Sequence, residues 1–157
     1  MKNITFHFHS NNSPIAKIIE WRTGSGYSHV SVEVNGNFYN AYANKRIYKT
    51  NKKSDDIKES YNIPVTNEIA DYAEQVMEQF IGSLYDYKAM FGFLVNSDKN
   101  SKGRIFCSEM ANIVLELITG VKADHEKLVS PESIRIAVMY FIIGLYKNKP
   151  KTSTGNT

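Results

Sequence analysis

The sequence predicts an α+β fold in which antiparallel strands pack against amphipathic helices. In residues 28–34, valines alternate with polar residues and the turn dipeptide Asn35-Gly36 follows, which is the pattern of a β-hairpin. From Cys107 the apolar residues recur at the i, i+3, i+4, i+7 spacing of one buried helix face, and Gly120 ends the pattern. A chain of 157 residues with both patterns is most simply one domain with its own core.

The beginning of the chain adds a strand and a helix. Residues 4–8 alternate between apolar and polar side chains, which predicts a strand. Ser13 is a good N-cap and Pro14 suits the first helical position, so we expect a helix over residues 14–22. The apolar residues of this helix that we expect to face mostly inward are Ile15, Ile18, Ile19 and Trp21.

Weaker patterns predict the elements in the middle of the chain. We expect a return strand at residues 37–43, strands at 47–49 and 61–65, a helix from Thr66 that ends at Gly82, a turn and short helix at 85–95, a polar loop at 96–103 and a strand at 104–106. A charged loop at 121–129 then follows the helix that begins at Cys107.

The last element is a helix opened by Ser130 and Pro131, with Ile134, Ala137 and Val138 facing inward. Residues 136–146 are very apolar, but eleven residues are too few to cross a bilayer, so we expect a buried helix or strand there. Residues 1–146 then form a single domain, and residues 147–157 are expected to be a disordered tail.

Composition excludes several classes of function. The net charge of +3 is too small to predict a nucleic-acid partner, and the basic run at residues 45–53 runs directly into acidic residues, as in a solvated loop. One cysteine cannot form an intramolecular disulfide, and the N-terminus lacks the apolar core of a signal peptide. These features predict a reducing, cytoplasmic setting, although a released or injected enzyme would act elsewhere.

Cys107 is the first candidate for chemistry. It lies in the first turn of its helix, where free backbone N–H groups and the helix dipole favour an anion, so we expect a lowered thiol pKa and a reactive thiolate. The same residue begins the apolar stripe of that helix, and Cys107 taken alone is more typical of a small, inert core thiol.

His29 is the candidate base for this thiol. A two-residue turn at Asn35-Gly36 would place Ser31 opposite Asn40 and His29 opposite Tyr42. His29 and Asn40 would then be diagonal neighbours on one face, where the amide oxygen can accept the imidazole N–H and select its tautomer. Glu33 shares this face and is the second candidate for that orienting role.

The other histidines carry weaker signals. His7 and His9 lie on one face of the first strand, a spacing that could supply two metal ligands, but no recognisable third ligand accompanies them. We therefore expect surface or packing histidines and no metal. His125, between Asp124 and Glu126, is expected to be solvated.

The order of the motifs resembles the circularly permuted branch of the NlpC/P60 cysteine hydrolases, across residues 4–134. The motifs that carry the resemblance are Ser28-His29-Val30, Phe38-Tyr39-Asn40-Ala41, Gly82-x-x-Tyr85-Asp86, Phe106-Cys107-Ser108-Glu109 and Ser130-Pro131. The resemblance implies a papain-like fold in which the histidine strand precedes the cysteine helix, with an antiparallel sheet or small barrel packed against helices.

The resemblance also implies a mechanism without cofactors. Cys107 would be the nucleophile, His29 the general base and Asn40 the third member of a Cys-His-Asn triad, at a position where the family often has glutamate. Without a carboxylate there, His29 should be less basic. A peptide, amide or acyl-ester substrate would pass through a thioester, with the oxyanion held by the Cys107 N–H and a donor from residues 24–28. Further substrate-binding or oxyanion residues would be Tyr27, Ser28, Tyr85, Asp86, Ser108 and Glu109.

Two other functions remain open from the sequence. Related permuted folds include lipid acyltransferases and thioesterases, and the apolar segment at residues 136–146 could meet a lipid tail, although membrane contact is not the favoured interpretation. The second alternative is a binding module that keeps the fold and uses its groove for a ligand without catalysis.

Overall fold

The computed structural model describes residues 1–42, 46–85, 104–105, 107–122 and 129–147. Within them the chain is α+β, as predicted, with a five-stranded antiparallel sheet, a two-stranded parallel ribbon and four helices. The strands are β1 (Lys2–His9), β2 (His29–Val34), β3 (Asn37–Asn40), β4 (Tyr48–Thr50), β5 (Ile57–Val65), β6 (Leu84–Tyr85) and β7 (Arg104–Ile105). The helices are α1 (Pro14–Thr23), α2 (Asn67–Glu78), α3 (Cys107–Thr119) and α4 (Pro131–Lys147).

The hairpin of β2 and β3 has the predicted register. Val34 pairs with Asn37, so the turn contains two residues, Asn35 and Gly36. Their φ angles are 52° and 78°, and two consecutive left-handed residues are what the tight hairpin turn requires. The large sheet has the order β4-β3-β2-β1-β5, which places β1 and β2 in its interior.

The two faces of this sheet differ in character, and both are buried along β1 and β2. The apolar face packs against α2, α3 and α4 in one continuous core. Its strand residues are Ile4, Phe6, Phe8, Val30, Val32 and Val34. The opposite face is polar, and its buried residues are Thr5, His7, His9, His29, Ser31 and Asn40. Buried polar groups of this kind need hydrogen-bond partners, so this face must be internally bonded.

Helix α1 begins as predicted but is not buried as predicted. The Ser13 hydroxyl caps it by accepting the Ala16 backbone N–H, and Ile19 is buried. However, Ile15, Ile18 and Trp21 are 41%, 45% and 80% exposed, so the expectation that they face inward is wrong. The reason is that α1 contributes no residue to the main core, and only its narrow face through Ala16 and Ile19 is covered.

Helix α4 also differs from its prediction. It continues through Lys147, so this residue ends the helix instead of beginning a tail. Ile134 and Val138 are buried as expected, but Ala137 and the apolar residues Ile136, Tyr140, Ile143, Leu145 and Tyr146 are exposed. The helix meets the core along one side, and its period turns the remaining apolar residues outward. None of the helices in the described residues is both long and apolar enough to cross a bilayer.

Other predicted boundaries shift by a few residues. Strand β5 begins at Ile57 instead of residue 61, because it pairs with β1 along most of its length. Helix α2 was predicted to begin at Thr66 and end at Gly82, whereas the Thr66 hydroxyl caps it and the helix ends at Glu78. Gly82 adopts a φ of 82° in the turn beyond it. Strand β6 was predicted as a turn. The elements predicted for residues 86–103, Phe106 and most of the loop at 121–129 lie outside the described residues, as do residues 148–157.

Candidate active site

Cys107 lies where α3 meets β2. It is the first residue of α3, and it is 1% exposed. Three backbone N–H groups, those of Val30, Ser108 and Cys107 itself, are directed at its sulfur. Val30 follows His29 directly in the chain. The peptide unit that directs the Val30 N–H at the sulfur is therefore the one that joins Val30 to His29, the candidate base. The fold therefore brings Cys107 and His29 to the same end of β2.

The expected lowering of the Cys107 pKa is wrong for this state of the protein. Burial raises the pKa of the thiol to about 11, and the negative charge of Glu109 adds to the increase. The three backbone N–H groups act in the predicted direction but do not offset the loss of solvation. At neutral pH the sulfur is therefore a neutral thiol in the substrate-free protein.

His29 is held in one orientation by its neighbours on the polar face. Its ring stacks on Tyr42 at a centroid distance of 4.0 Å and lies 4.8 Å from the ring of His9. It forms a side-chain hydrogen bond with Asn40, as the hairpin register predicted. Nε2 of His29 is buried and has no hydrogen-bond partner within the described residues. A neutral ring that carries its proton on Nδ1 has its lone pair on this Nε2.

The pKa of His29 lies well below its usual value. Burial is the main cause and the nearby His9 adds to it, while Asn40 and Asp56 act in the opposite direction. The sequence predicted this direction from the absence of a carboxylate at residue 40, but burial is the larger cause. His29 and Cys107 are thus both neutral, and no hydrogen bond joins Nε2 to the sulfur in this structure.

Glu33 does not orient His29. Its carboxylate lies 2.9 Å from Nε2 of His7, whose Nδ1 lies 2.7 Å from the Ser60 hydroxyl. Because a carboxylate only accepts, Nε2 of His7 carries the proton and Nδ1 accepts from Ser60. His7 and Glu33 form a structural pair. Of the two residues considered for orienting His29, Asn40 is the one that contacts it.

His9 forms a second buried pair beside His29. Its Nδ1 lies 2.8 Å from the Asp56 carboxylate, and its Nε2 lies 2.7 Å from the Ser31 hydroxyl. Burial would raise the pKa of Asp56, but hydrogen bonds from His9, Ser54 and Asn11 outweigh it and lower the pKa to about 2. His7 and His9 are therefore packing residues with carboxylate partners. Among the described residues, no group of three His, Cys, Asp or Glu side chains is arranged to hold a metal ion.

The residues expected to supply oxyanion donors are mostly engaged elsewhere. The Ser28 backbone N–H donates to the His9 carbonyl at 2.9 Å, and the Tyr27 N–H donates to the Ser25 hydroxyl at 3.1 Å. The Ser108 hydroxyl donates to the Val129 carbonyl, which ties the start of α3 to the segment before α4. These contacts make Ser28 and Ser108 structural, so the N–H groups around the Cys107 sulfur are the remaining donors.

The other predicted substrate residues have mixed outcomes. The Tyr27 hydroxyl donates to Glu59 at 2.5 Å, which with burial raises the pKa of Tyr27 to about 12, and its ring faces the Arg135 guanidinium at 5.3 Å. Glu109 is half-buried and lies two residues after Cys107 in α3. Tyr85 pairs with Ile105 in the parallel ribbon that leads towards Cys107. Asp86 and His125 lie outside the described residues.

Comparison with known proteins extends none of these assignments. No known family model matches the chain, and no curated protein matches it. The proposed function therefore depends on the motif order and on the chemistry of the site.

Two neighbours of His29 were missed from the sequence: His9 and Asp56. The register did place Tyr42 opposite His29, and this was a usable signal for the stacked pair. The pairing of His9 with His29 across β1 and β2 had no local signal, because it depends on which strands become neighbours. Asp56 lies in a loop that reaches the sheet only in the folded chain.

The three buried histidines predict a loss of stability in acid. Burial lowers the pKa of His7, His9 and His29, so each takes up a proton in the unfolded chain before it does so in the folded one. The free energy of unfolding should be highest above about pH 6.5 and fall below it, by up to about 1.4 kcal/mol per pH unit for each histidine. Urea denaturation at several pH values between about pH 7.5 and about pH 5 measures this slope.

The variant His7→Gln serves as the matched control for this slope. It removes one titrating group and keeps an amide that can donate to Glu33, so the slope should fall by about a third. A free energy of unfolding that stays constant over the same range would contradict the assignment.

Proposed function

We propose that this chain is a cysteine hydrolase of the permuted papain-like type, which cleaves an amide bond through a thioester at Cys107. The observation that carries the proposal is Nε2 of His29, a buried nitrogen that has no hydrogen-bond partner within the described residues. His29 directly precedes Val30, whose backbone N–H is directed at the Cys107 sulfur. An unsatisfied buried polar atom costs about 1–3 kcal/mol, so its position requires a reason other than stability. Use as a general base supplies that reason.

The residues suggest a general-base mechanism that starts from two neutral groups. As the sulfur attacks the substrate carbonyl, the thiol proton moves to Nε2 of His29, which forms an imidazolium and a tetrahedral oxyanion. The backbone N–H groups of Cys107 and Ser108 donate to the developing negative charge. The imidazolium then protonates the leaving amine as the C–N bond breaks, and a thioester remains on Cys107.

Water resolves the thioester by the same route. His29 takes a proton from the attacking water, the C–S bond breaks, and the thiol regains the proton as the acid is released. Asn40 accepts the Nδ1–H throughout and so keeps Nε2 in its basic form. Substrate must also bring the sulfur and Nε2 within hydrogen-bond reach, since catalytic contacts often tighten only in the substrate complex.

A specific observation favours a second candidate, a lipid acyltransferase or thioesterase with the same residues. The exposed side chains Ile136, Tyr140 and Ile143 form an apolar stripe on α4, and such a stripe is suited to a lipid surface. Incubation with a radiolabelled phospholipid separates the two functions, because an acyl adduct on Cys107 from the lipid, and none from peptide amides, would favour the second.

A non-catalytic binding module is the remaining alternative. The raised pKa of the Cys107 thiol and the missing hydrogen bond to His29 both favour it. The pH dependence of acylation distinguishes a base-assisted thiol from an isolated one.

The acylation rate of Cys107 should change little between about pH 6.5 and about pH 9. Over this range His29 is already deprotonated and Cys107 is still protonated, so the reactive pair is constant. An unassisted thiol with a pKa of about 11 would instead react about tenfold faster for each pH unit. The measurement uses p-nitrophenyl acetate, with the Cys107→Ala variant as the blank and mass spectrometry to locate the acetyl group. A tenfold rise per unit, or no adduct on Cys107, would refute the proposal.

A further inference from the structure

A cavity of about 250 Å³ opens on the polar face of the sheet, next to the proposed site. Three buried polar residues of this face, His9, Ser31 and Asn40, form part of its lining. Tyr42 also lines it, and the ring of Tyr42 stacks on His29. A ligand in the cavity would therefore lie one side chain away from the candidate base.

The charge of the cavity lining is positive. Among its described lining residues, Lys52 and Lys53 are the charged side chains, both are exposed, and neither forms an ion pair with any described residue. Asp56 does not line the cavity, but its carboxylate contacts the lining residues His9 and Ser54. Its carboxylate accepts hydrogen bonds from His9 at 2.8 Å and Ser54 at 2.5 Å, so its charge is already engaged. The two lysines are thus available to an anion.

The size and polarity of the cavity restrict what it can hold. Sites that enclose a drug-sized ligand begin at about 300 Å³, so this cavity has room for one small group. An aliphatic chain would cover polar donors of the lining, such as the Thr50 hydroxyl, without offering them an acceptor, which is costly. A compact group with several acceptor oxygens satisfies these donors and the two lysines together.

We propose that this cavity binds a small anionic group, a carboxylate or a phosphate, on a ligand that extends towards Cys107. Lys52 and Lys53 neutralise its charge, and the Thr50 hydroxyl supplies a further hydrogen bond. Identifying this ligand as the substrate rests on the proposed hydrolase function, whereas binding of the anion does not.

The test measures anion binding to the full chain that carries Cys107→Ala, which prevents turnover. NMR titrations with inorganic phosphate and with glutarate should shift the amide signals of the cavity lining, including residues 50–54, in a saturable way. The double variant Lys52→Ala/Lys53→Ala should weaken this binding by about tenfold or more. The control double variant Lys58→Ala/Lys122→Ala removes two exposed lysines outside the cavity and should leave the affinity unchanged.

The outcomes separate this proposal from the proposed function. Saturable binding of either anion that depends on Lys52 and Lys53 supports the site, and the preferred anion identifies the ligand class. No saturable shift with either anion, or equal weakening by both double variants, would overturn it. If the anion binds but Cys107 is never acylated in the wild-type chain, the cavity stands as the site of a binding module and the hydrolase function fails.

Discussion

Replacing Cys107 by alanine is expected to abolish acyl transfer, with a loss on the order of 10⁴–10⁶-fold in rate. It is the only cysteine in the chain, so no other thiol can form the thioester. The rate of p-nitrophenol release and the mass of the intact protein measure the two parts of this prediction. The wild type should show a single acyl adduct and the variant none.

Two further variants separate chemistry from folding at this position. Cys107→Ser keeps nearly the same volume at a site that is 1% exposed, so the fold should persist while the adduct is lost. Met110→Leu changes a buried side chain in the next turn of α3 and should cost under about 1.5 kcal/mol without loss of the adduct. Turnover that persists in the Cys107→Ala variant would refute the assignment of Cys107 as the nucleophile.

Replacing His29 by glutamine should lower the acylation rate by about 10²–10⁴-fold, the usual contribution of a general base. The amide of glutamine can fill much of the space and contact Asn40, but it cannot accept the thiol proton. The reaction should then depend on the thiolate alone, so its rate should rise about tenfold per pH unit up to the Cys107 pKa of about 11. This change in the pH profile is a signature that a purely structural histidine would not produce.

His7→Gln is the matched control for this variant. His7 lies on the same buried face of the sheet, and its two ring nitrogens contact Glu33 and Ser60. Its replacement should reduce stability but leave the flat pH profile intact. If both glutamine variants lose activity equally and keep flat profiles, the role assigned to His29 is wrong.

The elements with strong local signals were predicted well. The alternation in β2 and the dipeptide Asn35-Gly36 were sufficient to predict the register of the hairpin, and this register correctly placed Asn40 next to His29. The cap at Ser13 was also correct, because a side chain and a backbone N–H three residues away decide it. In each case the interacting groups are close in the chain.

The burial of helices was predicted less well. Apolar spacing in α1 and α4 predicted buried faces, yet Trp21, Tyr140 and Tyr146 are exposed. Periodicity describes which residues share a face, but not how much of that face another element covers. Coverage depends on where the helix docks, and this is set by contacts between distant segments.

The same distinction between local signals and contacts of distant segments applies to the candidate active site. Residue type and motif order in the sequence were enough to select Cys107 and His29, and the hairpin register added Asn40. The protonation of the site could not be predicted from those residues, because desolvation depends on everything packed around them. A helix start alone predicted a lowered thiol pKa, but the enclosure of Cys107 by β2 and α3 raises it to about 11. Likewise, the pairing of β1 with β2 brings His9 beside His29 and keeps it neutral. The candidate site residues could be predicted from the sequence, because residues close together in the chain identify them. The solvation and protonation of the site could not, because they are set only when distant strands and helices pack together.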